Sequence, residues 1–332
     1  MDADHQPEHA RFRHEALLYR TPDEFVTGVG GFVCDALAAE EPVLVAVGAE
    51  RAEALRAALE SDLRGRSDDV LFADMAELGR NPARIIPAWR DFLTSHEGAG
   101  RRVRGVGEPV WPGRSHAELL EAQRHEVLLS IAFTDLDDFW LICPYDVDNL
   151  HAEVIQEAFR SHPWIHEGGA IRPSATHEPV TTMPSRLEDP LKEPPDTAVR
   201  RGFSGTELSD VRHELDAWAT SQGMSPSRAD LLVLAVNELT TNSVEHGGGR
   251  GELLVWPEDG VLVAEVRDGG YIDAPLVGRI RPDRKQPSGR GIWLVNHVCD
   301  LVEVRSSPEG TVARVRMRLH DGTVARKDRR PT

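Results

Sequence analysis

The sequence predicts two domains of different class. The N-terminal half reads as an α/β unit with a mostly parallel sheet, and the C-terminal half as an α+β unit with an antiparallel sheet and helices on one face. Three observations carry this. The 332 residues exceed what a single hydrophobic core usually supports. Helical and strand patterns alternate in the first half but come as helices and hairpins in the second. Between them, Ile171 to Ala198 hold six prolines and few large apolar residues. Proline removes donors and bars helix interiors, so this segment is expected to be extended and partly draped on a neighbouring surface. The expected divisions are 8–170, a linker at 171–199, 200–321 and a basic tail at 322–332.

In the first half, "TPDEFVTGVGGFVCDALAAE" has a threonine cap, proline at the first helical position and apolar residues at helical spacing. "PVLVAVG" is a short valine-rich run, as a strand buried on both faces would be. "AERAEALRAALE" is helical again. "DVLFADM", "RVRGVGEPVW" and "DFWLICPYD" read as strands, with "SHAELLEAQRHEVLLSIAF" as a helix between the last two. In such a sheet a phosphate-binding loop would follow the first strand, but "VAVGAERAEAL" has one glycine, no lysine and no G-x-x-x-x-G-K-[ST] pattern. The histidine spacing argues against metal ligation. His162 and His166 are four apart but Pro163 breaks the helix between them, and His116 and His125 point roughly 180° apart on a helix. These histidines are read as surface or cap residues, and no metal is assigned to this half.

The segments "HEALLYRTPDEFV", "EPVLVAVG", "VGEPVWPGRSHAELLEAQRHEVLL" and "LICPYD" resemble the bacterial sensory module called MEDS, over about residues 8–166. The resemblance implies a RecA-like sheet without a nucleotide loop that senses an unidentified small ligand or a partner.

In the second half, "SDVRHELDAWATSQG" is a helix, and "MSPSRADLLVLAVNELTTNSVEHGGG" is a longer one with Ser225 as cap, Pro226 in the first turn and three glycines after His246. "GELLVWPEDGVLVAEVRDGG" is a hairpin about a Pro-Glu-Asp-Gly turn. A polar loop runs from Asp273 to Ser288. "GRGIWLVNHVCD" is a glycine turn feeding a helix, and "LVEVRSSPEGTVARVRMRL" is a second hairpin.

The longer helix breaks its own pattern. Leu231, Leu232, Ala235, Leu239 and Ser243 form a buried stripe, while Glu238 and Asn242 repeat one turn apart on a neighbouring face. A nucleotide site lacking a P-loop needs an acceptor for the adenine amine, a Mg²⁺ ligand, phosphate donors and a base. Asp268 offers the acceptor, and Gly270 lets backbone approach the base. Asn242 offers an amide oxygen to magnesium. Gly289 and Gly291 flank Arg290 at a helix start, where backbone N–H groups and the dipole favour phosphate. Glu238 is the carboxylate available to orient or deprotonate a nucleophile. The basic lid, Gly278 to Ser288, closes over phosphates or stands solvated; both readings stay open. His246 is a helix-ending histidine or a contact near the nucleotide.

In this order, "NELTTNSVEHG", "VRDGG" and "SGRGIWLV" resemble the N, G1 and G2 boxes of the GHKL ATP-binding superfamily, whose fold is the Bergerat sandwich. Sensor histidine kinases typically carry asparagine where this chain has Glu238, and a phosphorylated histidine on an upstream hairpin. His213 lies on the first helix, 29 residues before Asn242. The remaining branch is the compact, RsbW-like anti-sigma-factor serine/threonine kinases. That resemblance implies an enzyme that binds ATP and Mg²⁺, sequesters a sigma factor and phosphorylates a Ser/Thr of an anti-anti-sigma STAS protein. By it, Glu238 matches the base, Asn242 the magnesium ligand, Asp268 and Gly270 the adenine contacts, and Gly289 and Gly291 the phosphate loop, with Arg290 beside a phosphate. The alternatives are a module that binds nucleotide and sequesters a partner without catalysis, and a histidine kinase acting in trans. Relatives of this domain commonly pair, which leaves a homodimer open.

Composition sets the remaining bounds. Hydrophobic content of 40% with 28% charge is that of a soluble globular chain, and a net charge of −17 argues against direct nucleic-acid binding. Cys34, Cys143 and Cys299 stand far apart and read as free thiols in a reducing compartment. The start lacks a signal peptide's apolar core and no apolar run reaches the roughly 20 residues of a membrane span, so the expected location is the cytoplasm.

Overall fold

The computed structural model describes residues 12–66, 68–97, 100–136, 138–179, 189–282 and 289–320. The basic tail at 322–332 and the middle of the proline-rich segment lie outside the described residues. The chain divides into two compact units, Met1–Leu187 and Glu188–Thr332. No described helix is long and apolar enough to cross a membrane.

The first unit runs β1 (Arg13–Tyr19), α1 (Pro22–Ala38), β2 (Val43–Val47), α2 (Ala49–Ala58), β3 (Val70–Asp74), α3 (Met75–Leu78), α4 (Ile85–Ser95), β4 (Val103–Gly107), α5 (His116–Ala132), β5 (Phe139–Asp146), α6 (Ala152–Ser161), β6 (Trp164–Glu167) and β7 (Ala170–Pro173). The seven strands form one sheet in the order β3-β2-β4-β5-β1-β6-β7. Every pairing is parallel except β6 with β7.

Local chemistry starts the helices where the sequence predicts. Thr21 accepts from the Glu24 amide with Pro22 in the first turn of α1, and Ser115 and Glu118 form a capping box on α5. Leu17, Val45, Val106 and Ile142 pack with Phe25, Val29 and Leu55 from α1 and α2. Trp89 of α4 and Phe133 beyond α5 meet Phe139, and Trp89 stands over Gly105 of β4. Helices therefore cover both faces. One central strand escapes the sequence pattern: β1, inserted between β5 and β6, begins with Arg13, His14 and Glu15, and these charged residues hide its period.

The second unit runs β8 (Val199–Ser204), α7 (Leu208–Ser221), α8 (Pro226–His246), β9 (Arg250–Glu258), β10 (Val261–Asp268), α9 (Arg290–Val298), β11 (Leu301–Ser307) and β12 (Gly310–Arg318). The sheet order is β11-β12-β10-β9-β8, antiparallel throughout. Here too an edge strand, β8, is added to the expected elements. The first hairpin closes through Asp259 and Gly260, both at positive φ, as a tight two-residue turn demands. Leu215, Leu232, Leu239, Val266, Val295 and Val315 build the core between the helices and one sheet face.

The other face buries Leu254, Trp256 and Val263 with Ala198, and carries paired charges. Residues 189–198 lie over it. The guanidinium of Arg305 donates to the Asp189 carbonyl (2.9 Å), that of Arg314 to the Lys192 carbonyl (2.6 Å), and Arg267 pairs with Glu193 (3.1 Å).

Helix α8 is anchored at its start by a buried ion pair. Arg228 pairs with Asp300 and donates to the Arg318 carbonyl (3.2 Å), while Asp300 also accepts from the Arg318 amide (2.8 Å). Removing one member leaves the other buried without its charge partner. Asp300→Ala is accordingly expected to cost roughly 3–5 kcal/mol, read as a lower urea midpoint at unchanged slope for the second unit's transition.

Candidate functional site

A concave site lies in the second unit. It is a cavity of about 370 Å³ lined by Asn242, His246, Asp268, Gly270, Gly289 and Gly291 together with apolar groups, among them Leu239, Val266, Ile292 and Val304. An apolar wall with a few convergent polar groups is the usual form of a small-molecule site.

One end is built where α8 stops against the end of β10. The Ser243 hydroxyl donates to Asp268 Oδ2 (2.6 Å), and the Gly270 amide donates to Oδ1 (2.8 Å). The two chains approach too closely for side chains: a Cβ on Gly247 would stand 2.5 Å from Asp268, and one on Gly270 would stand 2.9 Å from Gly247 Cα and from the His246 carbonyl. Thr311, opposite Asp268 on β12, donates to the Gly270 carbonyl (2.8 Å) and touches Ser306 (2.7 Å), which in turn accepts from the Ile272 amide (2.8 Å). The Asp268 carboxylate is thus fixed in direction and retains acceptor capacity, since each ionised oxygen accepts more than one bond.

The other end is the start of α9. Gly289 caps it at φ 92°, a left-handed conformation that favours glycine, and supplies no side-chain cap. The first amides of the helix are therefore available to an anion, with the dipole favouring negative charge. Glu238 and Asn242 both face this turn. A Cβ on Gly291 would stand 3.0 Å from Glu238 Oε2 and 3.2 Å from Asn242 Nδ2. Half-buried on α8, the two side chains point at the same small patch of backbone, as their one-turn spacing requires. Arg290 is exposed at the helix start.

The structure brings Asn242, Asp268, Gly270, Gly289 and Gly291 to one cavity, with Glu238 against its Gly291 wall. His246 lines it and is exposed. Of the expected lid, Gly278 is pinned, its carbonyl accepting from Asn296 Nδ2 (2.9 Å), and Arg279 is buried rather than solvated. Arg284 and Lys285 lie outside the described residues. His213 is exposed on α7, its ring bonded to the Ser209 carbonyl. Sequence reasoning missed Thr311, Ser243 and Gly247. The register of the second hairpin against Asp268 points to Thr311, and Ser243, a member of the buried stripe, turns its hydroxyl to Asp268.

The first unit carries a second polar constellation, at the C-terminal ends of adjacent parallel strands, where open α/β sheets hold ligands. Glu108, just past β4, is buried. It pairs with Arg51 (2.8 Å), which also reaches Asp146 at the end of β5 (3.2 Å), and accepts from Tyr19 (3.3 Å) and the Gly48 amide (3.4 Å). Burial pushes its carboxyl up to about 7, the nearby Arg51 charge offsetting only part of the rise.

The histidines of this unit need a correction. His116 is exposed, as expected, but His125 and His162 are buried, and His166 is bonded to Glu15. His162 does close α6, yet its ring turns inward. The helices packed on this side of the sheet, not the sequence neighbours, decide that burial.

Two family models match the chain. One is described as the MEthanogen/methylotroph, DcmR Sensory domain, MEDS, and matches residues 13–163. The other is described as the histidine kinase-like ATPase domain and matches residues 204–318. No curated protein matches. Among solved structures, the RsbU and RsbW domains of Rv1364c from Mycobacterium tuberculosis are 18% identical, over 63% of this chain and 49% of that one, with a TM-score of 0.30. The Acinetobacter baumannii histidine kinase AdeS is 10% identical, over 37% of this chain and 68% of that one, with a TM-score of 0.24. The chain thus spans about half of the mycobacterial one, and likenesses this distant do not bear on any side chain.

Two outcomes follow from the geometry. Gly270→Ala forces a Cβ against backbone and is expected to lower the second unit's stability by about 1–3 kcal/mol in urea unfolding. For Glu108 the folded pKa, about 7, lies above the ordinary 4.5, so its contribution to stability is full below 4.5 and is lost as pH rises through 7. Relative to wild type, Glu108→Gln is expected to remove a fall of the order of 3 kcal/mol between pH 4.5 and 8, read by denaturation at both ends of that window.

Proposed function

We propose, from the premise that this chain joins a MEDS domain to a histidine kinase-like ATPase domain, that it is an anti-sigma regulatory factor with ATP-dependent serine/threonine kinase activity. The observation that carries the reading is the facing of Glu238 and Asn242 onto Gly291 at the open N-terminus of α9, across the cavity from Asp268. An enzyme that merely holds a nucleotide has no need of a carboxylate at the phosphate end.

The residues present fit a magnesium nucleotide. Asp268, held by Ser243 and the Gly270 amide, accepts from the adenine amine, and Gly270 lets backbone pack close beside it. Thr311 steadies that wall. The amides after Gly289 receive phosphate oxygens, and Arg290 lies beside them. Asn242 would hold Mg²⁺, which when bound neutralises phosphate charge. Glu238 accepts the proton of the attacking hydroxyl as its oxygen bonds to the γ-phosphorus, and the bond to the bridging oxygen breaks to release ADP.

The acceptor in this reading is a serine or threonine of a STAS anti-anti-sigma protein, and a sigma factor is held until that partner competes for it. The MEDS domain, taken as a RecA-like sheet without a nucleotide loop, biases the kinase in the cytoplasm in response to a small ligand or partner. The segment at 189–198 is the route this reading assigns, because Arg267 and Arg314 bind it to the strands that carry Asp268 and Thr311, and Arg305 binds it to β11. Such control requires the signal to favour one arrangement of the segment over another.

The test is transfer of labelled phosphate from ATP to candidate STAS proteins. Acid-stable label on the partner is expected; acid-labile label would instead mean a histidine acceptor, and none would mean sequestration without catalysis. Glu238→Gln is expected to reduce transfer by about 10²–10⁴-fold while nucleotide affinity, measured by calorimetry, changes little. Loss of nucleotide binding in that variant would overturn the assigned role.

A further inference from the structure

The first unit holds a cluster that the site above does not use. His14 at the start of β1, Glu126 in the middle of α5, Cys143 in β5 and His162 at the end of α6 converge beneath the helices, with one ligand atom of each within 4.8 Å of all the others. They are 2%, 2%, 1% and 0% exposed. The Glu126 carboxylate stands 3.0 Å from His14 Nε2 and 3.3 Å from His162 Nε2, and His14 Nε2 stands 3.4 Å from Cys143 Sγ. Tetrahedral ligands at zinc–ligand distances of about 2.0–2.3 Å are themselves roughly 3.3–3.6 Å apart. These spacings are already close to that.

The direction of His162 agrees. The Nδ1–H of His162 donates to the Ala158 carbonyl (2.8 Å). This leaves the Nε2 lone pair aimed into the cluster, and a bonded second nitrogen is the usual support of a metal-binding imidazole. His162 Nε2 and both oxygens of Glu126 make no hydrogen bond of acceptable geometry among the described residues.

A comparison inside the same chain sharpens the point. Other buried acids meet guanidinium groups: Glu265 meets Arg267 and Arg314, Glu303 meets Arg316, Asp300 meets Arg228 and Glu108 meets Arg51. Among the described residues Glu126 has only the two imidazoles for ionic partners. A buried carboxylate beside an imidazole lone pair and a thiol, with no guanidinium, is costly unless a cation sits between them.

We propose that His14, Glu126, Cys143 and His162 form a binding site for a transition-metal dication, with zinc the ion of best fit. A thiolate and two imidazoles select against calcium and magnesium, and four protein ligands close the site in the manner of a structural rather than a catalytic centre. The metal displaces the thiol proton on binding, which is released to solvent. Because the four ligands come from β1, α5, β5 and α6, the ion staples two helices to the middle of the sheet. Burial of the cluster means that it loads as the unit folds.

The test uses the full-length chain, unfolded in denaturant with a chelator, then refolded with or without zinc and passed through a desalting column. One equivalent of zinc retained per chain, with a raised melting temperature, is expected. Refolding with cobalt(II) is expected to give tetrahedral d–d bands and a thiolate-to-cobalt charge-transfer band. X-ray absorption of the zinc form is expected to show one sulfur neighbour at about 2.3 Å and nitrogen or oxygen neighbours at about 2.0–2.1 Å. Cys143→Ser and His162→Gln are expected to weaken zinc retention by at least about tenfold, and circular dichroism reports whether they fold. If either fails to fold, the wild-type absorption spectrum decides. A refolded chain that retains no zinc, or a zinc shell without sulfur, would overturn the proposal.

Discussion

The second unit depends on the close approach of the end of α8 to the end of β10. Gly247 and Gly270 lack side chains at the two points where backbone meets backbone, and Asp268 is clamped between Ser243 and the Gly270 amide. That contact sets where α8 lies along its whole length, so Asn242 and Glu238, about one and a half and two and a half turns before Gly247, reach the start of α9. With α8 also held at its beginning by Arg228 and Asp300, neither end can slide, and the two ends of the cavity keep their separation. The arrangement is a preorganised one in the ordinary sense: the polar groups are aimed by bonds they already make.

The opposite face of the same sheet shows how the chain spends its charge. Glu265 is fully buried there, and its two oxygens receive Arg267 (2.6 Å) and Arg314 (2.7 Å). Those arginines, with Arg305, have donors to spare, and they use them on residues 189–193. Residues 189–193 are therefore held through side-chain donors rather than as an added strand, consistent with a stretch whose prolines cannot donate. Arg267 directly precedes Asp268 on β10, so this segment and the cavity share a strand.

How much of this was legible in the sequence follows from where the signals lie. Glu238 with Asn242, Asp268 with Gly270, and Gly289 with Gly291 each sit within one short segment, and their spacing reports a helical turn or a tight bend directly. Both hairpins and the long helix were legible for the same reason. Strand β1 was not, because a central strand that begins with Arg13, His14 and Glu15 looks like a solvated segment until its partners are known. Thr311 needed the pairing of β10 with β12. The histidine and cysteine cluster was the least accessible: residues 14, 126, 143 and 162 are separated by long intervals, and only the insertion of β1 between β5 and β6 draws them together. Reading His162 against His166 by helical spacing compared the wrong neighbours.

The two sheets also treat an anion in opposite ways. In the first unit the turn after β2, where a phosphate loop would stand, has its Gly48 amide directed at Glu108, and Asp146 lies across Arg51 from it. Two acids share one guanidinium there, and an incoming phosphate would have to displace a carboxylate from the cation. In the second unit the start of α9 is capped by a glycine without a side chain, so its amides face no competing acid of their own helix. Glu238 lies beyond Gly291, beside Asn242. The start of α9 is therefore open to an anion, whereas the guanidinium after β2 is already engaged by two carboxylates.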